Sequence, residues 1–222
     1  MGDGEKRAAG TTMLAEAATA VDLALVLAVD CSSSVDDTDF GIQTAGIAAA
    51  LRHRALQDAI RQGRHKRIAV TVMLWSNERT RVIALPWRVV ADGPELEAAA
   101  REIEGIRHDL PPGGTALAAA IDHAAQLLTV LPFAAERRTI DVSGDGWENK
   151  GGNPAMARDR AVAQGITING LPLTRGSKLL VPYYKAQVIG GPGAFVEPAE
   201  TMLQMPDAIL KKLLREIRQP VS

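Results

Sequence analysis

Three short segments carry side chains suited to holding a hard metal ion. Asp30-Cys31-Ser32-Ser33-Ser34 offers a carboxylate and hydroxyls, Gly113-Gly114-Thr115 delivers a hydroxyl from a flexible turn, and Ser143-Gly144-Asp145-Gly146 holds a carboxylate between glycines. Two hydroxyls and a carboxylate from the first loop, one hydroxyl from Thr115 and one carboxylate from Asp145 make an oxygen-only set for a small hard cation. Mg²⁺ is the expected ion, with Mn²⁺ or Ca²⁺ as alternatives. Each loop alone also reads as punctuation, because Asp and Ser cap helices and Asp-Gly makes turns. Only a fold that gathers all three gives them a joint chemistry.

The surrounding elements meet that requirement. Leu23 to Val29 is an unbroken aliphatic run ending at Asp30, the pattern of a parallel strand buried on both faces. A helix follows from a candidate cap at Thr38, with Phe40, Ile47 and Leu51 on its apolar stripe, and continues through Leu56 to Ile60. Ile68 to Trp75 and Val82 to Leu85 read as a hairpin that adds one antiparallel edge. Helices over Pro94 to Ile106, from Thr115 onward and over Pro154 to Gln164 alternate with strands Thr139 to Ser143 and Ile166 to Leu173. Thr174 to Gly193 is irregular, Ala194 to Glu197 reads as a short strand, and a final helix turns Met205, Ile209, Leu213 and Ile217 inward. Lys211, Lys212, Arg215 and Arg218 are expected to face water or the helix C-terminus. The fold class is therefore α/β: three layers, doubly wound, with a mostly parallel sheet and helices on both faces. In such sheets, loops at the carboxyl ends of strands meet in one crevice. Residues 21–219 are expected to form a single domain after a flexible segment, 1–20.

Composition narrows the functions. Of 222 residues, 46% are hydrophobic but only 4% aromatic, so the core is aliphatic. Lys plus Arg total 25 against 26 Asp plus Glu, which removes the basic excess of a nucleic-acid binder. Cys31 is the single cysteine, excluding an intrachain disulfide and a four-thiolate zinc site. It reads as a small buried spacer rather than a nucleophile, since no histidine partners it in sequence. The four histidines lack ligand spacing, and only His108 is placed to approach the metal face. No Gly-x-Ser-x-Gly elbow, phosphate-binding loop or dinucleotide fingerprint occurs. No membrane span is expected, and the chain as written lacks a signal peptide and reads as cytoplasmic. The Ala17-Ala18-Thr19-Ala20 stretch leaves room for periplasmic or secreted placement if the true start lies upstream.

The pattern Asp-x-Ser-x-Ser with a later Thr and a later Asp-Gly resembles the metal-ion-dependent adhesion site of von Willebrand factor A domains. The resemblance runs from Val21 to the final helix. Phrases such as Val29-Asp30-Cys31-Ser32-Ser33-Ser34 and Ile140-Asp141-Val142-Ser143-Gly144-Asp145-Gly146 are most similar to a bacterial branch of these domains that has no agreed activity. It implies metal ligation by Asp30, Ser32, Ser34, Thr115 and Asp145, with Ser32, Ser34 and Thr115 binding directly and Asp30 and Asp145 acting partly through water. Gly114, Gly146 and Trp147 would rim the site. The implied function is non-enzymatic: capture of an Asp or Glu carboxylate from a protein partner through the cation. Two further classes stay open at this stage, a metal-dependent hydrolase of phosphate or ester substrates and a structural or assembly domain with a stabilising metal.

Overall fold

The aliphatic run at the start of the chain forms the central strand of a five-stranded sheet. In the computed structural model, which describes residues 20–111 and 113–219, β1 (Ala20–Val21) precedes β2 (Leu23–Asp30). The expectations for residues 1–19 lie outside the described residues. The chain continues through α1 (Asp37–Arg52), α2 (Arg54–Arg61), β3 (Ile68–Trp75), β4 (Arg81–Val90) and α3 (Gly93–Glu104). Then come α4 (Leu117–Thr129), β5 (Ala134–Ala135), β6 (Arg138–Gly144), α5 (Pro154–Ala163), β7 (Ile166–Pro172), α6 (Leu180–Tyr183) and α7 (Met205–Arg218). The main sheet has the order β4-β3-β2-β6-β7 and is parallel except for β4, while β1 and β5 form a separate parallel pair.

Strand periodicity sorts the core into two layers. Leu23, Leu25, Leu27 and Val29 pack with α1, α2, α3 and α7, whereas Ala24, Val26 and Ala28 pack with α4 and α5. Small residues on the second face let α4 approach the centre of the sheet. The antiparallel edge follows from the Asn77 turn, whose Oδ1 accepts hydrogen bonds from Arg79 N, Thr80 N and Thr80 Oγ1.

Several expectations change. Asp36, not Thr38, caps α1 by accepting from Asp39 N at 2.8 Å. The helical stripe does not run unbroken to Ile60, because His53 is extended (φ −69°, ψ 129°) and its Nδ1 accepts from Ala55 N to start α2. Ala194 to Glu197 makes no strand; backbone bridges join Gly170 to Val196 and Leu173 to Ala199. The irregular stretch contains α6 and a π-helical turn, Tyr184–Val188. Lys212 does not face water. It is fully buried, with Nζ 2.7 Å from Asp141 and 2.5 Å from Glu216, because both acids point into the same helix-sheet layer.

Candidate metal centre

Register brings the first and third loops together. Val29 pairs with Ser143, so Asp30 at the end of β2 lies beside Gly144 at the end of β6. The helix after β2 packs on one face of the sheet and the helix after β6 on the other, which opens a crevice between the two strand ends. The second loop is laced to the first: Ser33 N and Ser33 Oγ both donate to Gly113 O at 2.9 Å. Ala116 N donates to Ser76 O at 2.8 Å, tying the start of α4 to the end of β3.

The segment after Asp145 completes this frame. Helix α4 has no side-chain cap of its own, and Glu148 supplies one from a distance by accepting from Ala118 N at 2.9 Å. Asn149 Oδ1 accepts from Thr115 N at 2.9 Å, and Asn149 N donates to Thr115 O. These contacts fix Thr115, which is buried, against Gly146: a Cβ on that glycine would stand 3.2 Å from Thr115 Oγ1.

Four of the five expected ligands form a continuous polar chain. Asp30 Oδ1 accepts from Ser32 N at 2.7 Å, Ser32 Oγ and Ser34 Oγ lie 3.2 Å apart, and Ser34 Oγ donates to Asp145 Oδ1 at 2.6 Å. Ser32, Ser34, Gly114 and Thr115 border one open cleft together with Asn149 and Lys150. Trp147 is 45% exposed and packs edge-on against Tyr183 at 6.4 Å between ring centroids.

Electrostatically the crevice is unbalanced. Asp30 is wholly buried, and burial pushes its carboxyl up to about 7 despite the opposing pull of the Ser32 hydrogen bonds; the Asp145 carboxylate adds repulsion that its nearby backbone N–H partly offsets. Its Oδ2 has no hydrogen-bond partner among the described residues. Arg175 is the nearby counter-charge: Nε lies 3.3 Å from Asp145 Oδ2, and its Nη2 donates to Asp39. Arg175 adopts a left-handed φ of 46°, followed by Gly176 at 85°.

These features fit a hard cation. Two carboxylates and three hydroxyls supply only oxygen, and an unpaired carboxylate oxygen in a buried position is the group a cation would satisfy. No group of three or more His, Cys, Asp and Glu able to hold a metal occurs among the described residues, so a cation here would rely on hydroxyls as well as acids. Arg175 would compete for Asp145. Elsewhere, burial and the neighbouring Asp30 push the Cys31 thiol up to about 12, which keeps it protonated. His108 stacks on Phe40, and its Nδ1 lies 2.8 Å from Asp37 Oδ1.

Sequence reading missed Asn149, Glu148, Arg175 and Tyr184. The dipeptide Glu148-Asn149 after the Asp-Gly turn was a usable signal for capping at a distance. The other two sit in the stretch that lacked periodicity.

Solved structures with this fold include proximal thread matrix protein 1 from the mussel byssus, 14% identical with a TM-score of 0.62, matched over 90% of this chain and 49% of that one. A von Willebrand factor type A protein from Catenulispora acidiphila is 16% identical with a TM-score of 0.58, over 89% and 43% of the two chains. BatB from Bacteroides thetaiotaomicron is 16% identical with a TM-score of 0.57, over 89% and 100%. The chain thus spans about half the length of the mussel and Catenulispora proteins. One form of the mussel protein has a zinc-occupied metal-ion-dependent adhesion motif. No curated protein matches by sequence. At these identities the likeness shows the fold, which is that of von Willebrand factor A domains. The sequence from residue 20 to residue 221 matches the family described as "Protein of unknown function (DUF1194)", and the chain belongs to that family.

Proposed function

We propose that this chain is a protein-binding module that captures a partner's Asp or Glu carboxylate through a divalent cation held by Asp30, Ser32, Ser34, Thr115 and Asp145. The observation that carries the reading is the buried, unpartnered Asp30 Oδ2 at the head of the Ser32–Ser34–Asp145 chain. The cation would act as a Lewis acid toward an incoming carboxylate. The chain's own residues hold the oxygen donors in place, through Asn149 on Thr115 and Ser32 N on Asp30. The mussel neighbour with a zinc-occupied motif is consistent with a cation in a chain of this fold, and the oxygen-only set favours Mg²⁺ or Mn²⁺. Trp147, exposed beyond Gly146, would meet the partner's flanking residues. Cys31 is buried and protonated and His108 is paired with Asp37, so neither of these two residues is offered as a catalytic group of the crevice.

The test uses Mn²⁺-loaded protein and a pair of short peptides that differ by one Glu-to-Gln change. Binding of the Glu peptide alone, abolished by chelator, is expected. Equal binding of both peptides, or binding that survives chelation, would overturn the proposal.

A further inference from the structure

The π-helical turn after α6 presents a buried group that the carboxylate-capture reading does not use. Tyr184 is fully buried, and its hydroxyl has no hydrogen-bond partner among the described residues. Two glycines make room for it. A Cβ on Gly170 would lie 2.6 Å from the ring's Cδ1, and a Cβ on Gly144 would lie 2.9 Å from the hydroxyl oxygen. That same point over Gly144 is 3.0 Å from Asp30 Oδ2. A buried donor and a buried acceptor therefore converge on one bare Cα, and both are orphaned.

Packing does not account for the oxygen. An unsatisfied buried hydroxyl destabilises a fold, and phenylalanine would fill the ring's place without that cost. Single π-helical turns concentrate at functional sites, where they redirect a side chain. Here Tyr184 opens the turn, and its hydroxyl lies over Gly144 at the end of β6.

We propose that Tyr184 is a positioning residue of the cation site: its hydroxyl donates to Asp30 Oδ2 when the site holds a cation, the two oxygens closing over Gly144. Ser32 N already holds Oδ1, so the phenol would take one lone pair of Oδ2, leave the other toward the cation and fix the carboxylate plane. Partners that orient a ligand in this way commonly change metal affinity by about 10- to 100-fold. The inference rests on the cation reading above.

Its test is an Mn²⁺ titration of wild type, Tyr184→Phe and Gly144→Ala, followed by electron paramagnetic resonance, beside thermal melts of the metal-free proteins. Tyr184→Phe should weaken Mn²⁺ binding about tenfold while the metal-free melting temperature holds or rises, because an orphaned hydroxyl is gone. Gly144→Ala, whose methyl enters between the two oxygens, should weaken binding too. Unchanged affinity in Tyr184→Phe overturns the inference and leaves the cation reading standing. Parallel losses of affinity and metal-free stability in Tyr184→Phe overturn it as well, since they mark a merely structural ring. Absence of Mn²⁺ binding in wild type overturns both.

Discussion

Strand β6 serves two polar clusters that differ in how they are closed. At its middle, Asp141 meets Lys212 Nζ at 2.7 Å, Lys212 meets Glu216 at 2.5 Å, and Asn169 Nδ2 donates to Glu216 Oε1 at 2.9 Å. A cation from α7 is built into this cluster, and only Glu216 Oε2 lacks a partner. At the end of the strand, Asp145 and the adjacent Asp30 face hydroxyls, with Arg175 paired to Asp145, Lys150 bordering the cleft and Asp30 Oδ2 left bare. The first cluster carries a buried counter-ion in the sequence; the second has no buried lysine or arginine against Asp30 among the described residues. Neither burial nor one bare oxygen separates the two clusters; what separates them is the fully buried lysine that one contains and the other lacks.

The comparison breaks first at Lys212. Lys212→Ala leaves two buried carboxyls without their cation and should destabilise the protein by about 3–5 kcal/mol, read from urea unfolding. Asp30→Asn should do the opposite at the upper cluster, leaving metal-free stability unchanged or raised while abolishing the response to cation. If Asp30→Asn were as damaging as Lys212→Ala, the two clusters would be of one kind.

Stability against pH sharpens the contrast. In the metal-free protein, burial holds Asp30 at about 7, above its unfolded value of 3.8, and burial also pushes Glu216 above its unfolded value of 4.5. The folded state then binds more protons than the unfolded state, so this contribution is full below the unfolded values and is lost as pH rises toward 7. Melts at pH 5 and 7.5 should show that decline in wild type, a shallower one in Asp30→Asn, and a shallower one in wild type saturated with Mg²⁺.

The smallest effect is expected at Arg175. Its side chain is partly exposed, so Arg175→Gln should change stability by less than about 1 kcal/mol. By freeing Asp145 it should tighten Mn²⁺ binding a few-fold in a direct titration. Weaker binding in this variant would make Arg175 a support of the site and not a competitor.

Much of this was legible because the responsible signals are local. The aliphatic run of β2 and the strand-end positions of Asp30 and Asp145 place both acids at one crevice without any knowledge of long-range contacts. Thr115 was legible as a hydroxyl, but its fixation by Asn149 crosses 34 residues and leaves no periodic trace. Lys212 was assigned to water because a lysine on a helix is usually solvated. Its burial depends on Asp141 and Glu216 arriving from a strand and the next helical turn. Tyr184 was hidden for a similar reason: the π-helical turn breaks the 3.6-residue spacing, and its space is made by Gly144 and Gly170 on two different strands.

The most direct measurement is an equilibrium Mn²⁺ titration of wild type, Asp30→Asn and Asp145→Ala, with free Mn²⁺ read by electron paramagnetic resonance. One ion per wild-type chain, displaced by Mg²⁺, and none in either variant is the expected result. A wild type that binds no ion, or variants that bind as wild type does, would contradict the assignment of the upper cluster as a cation site.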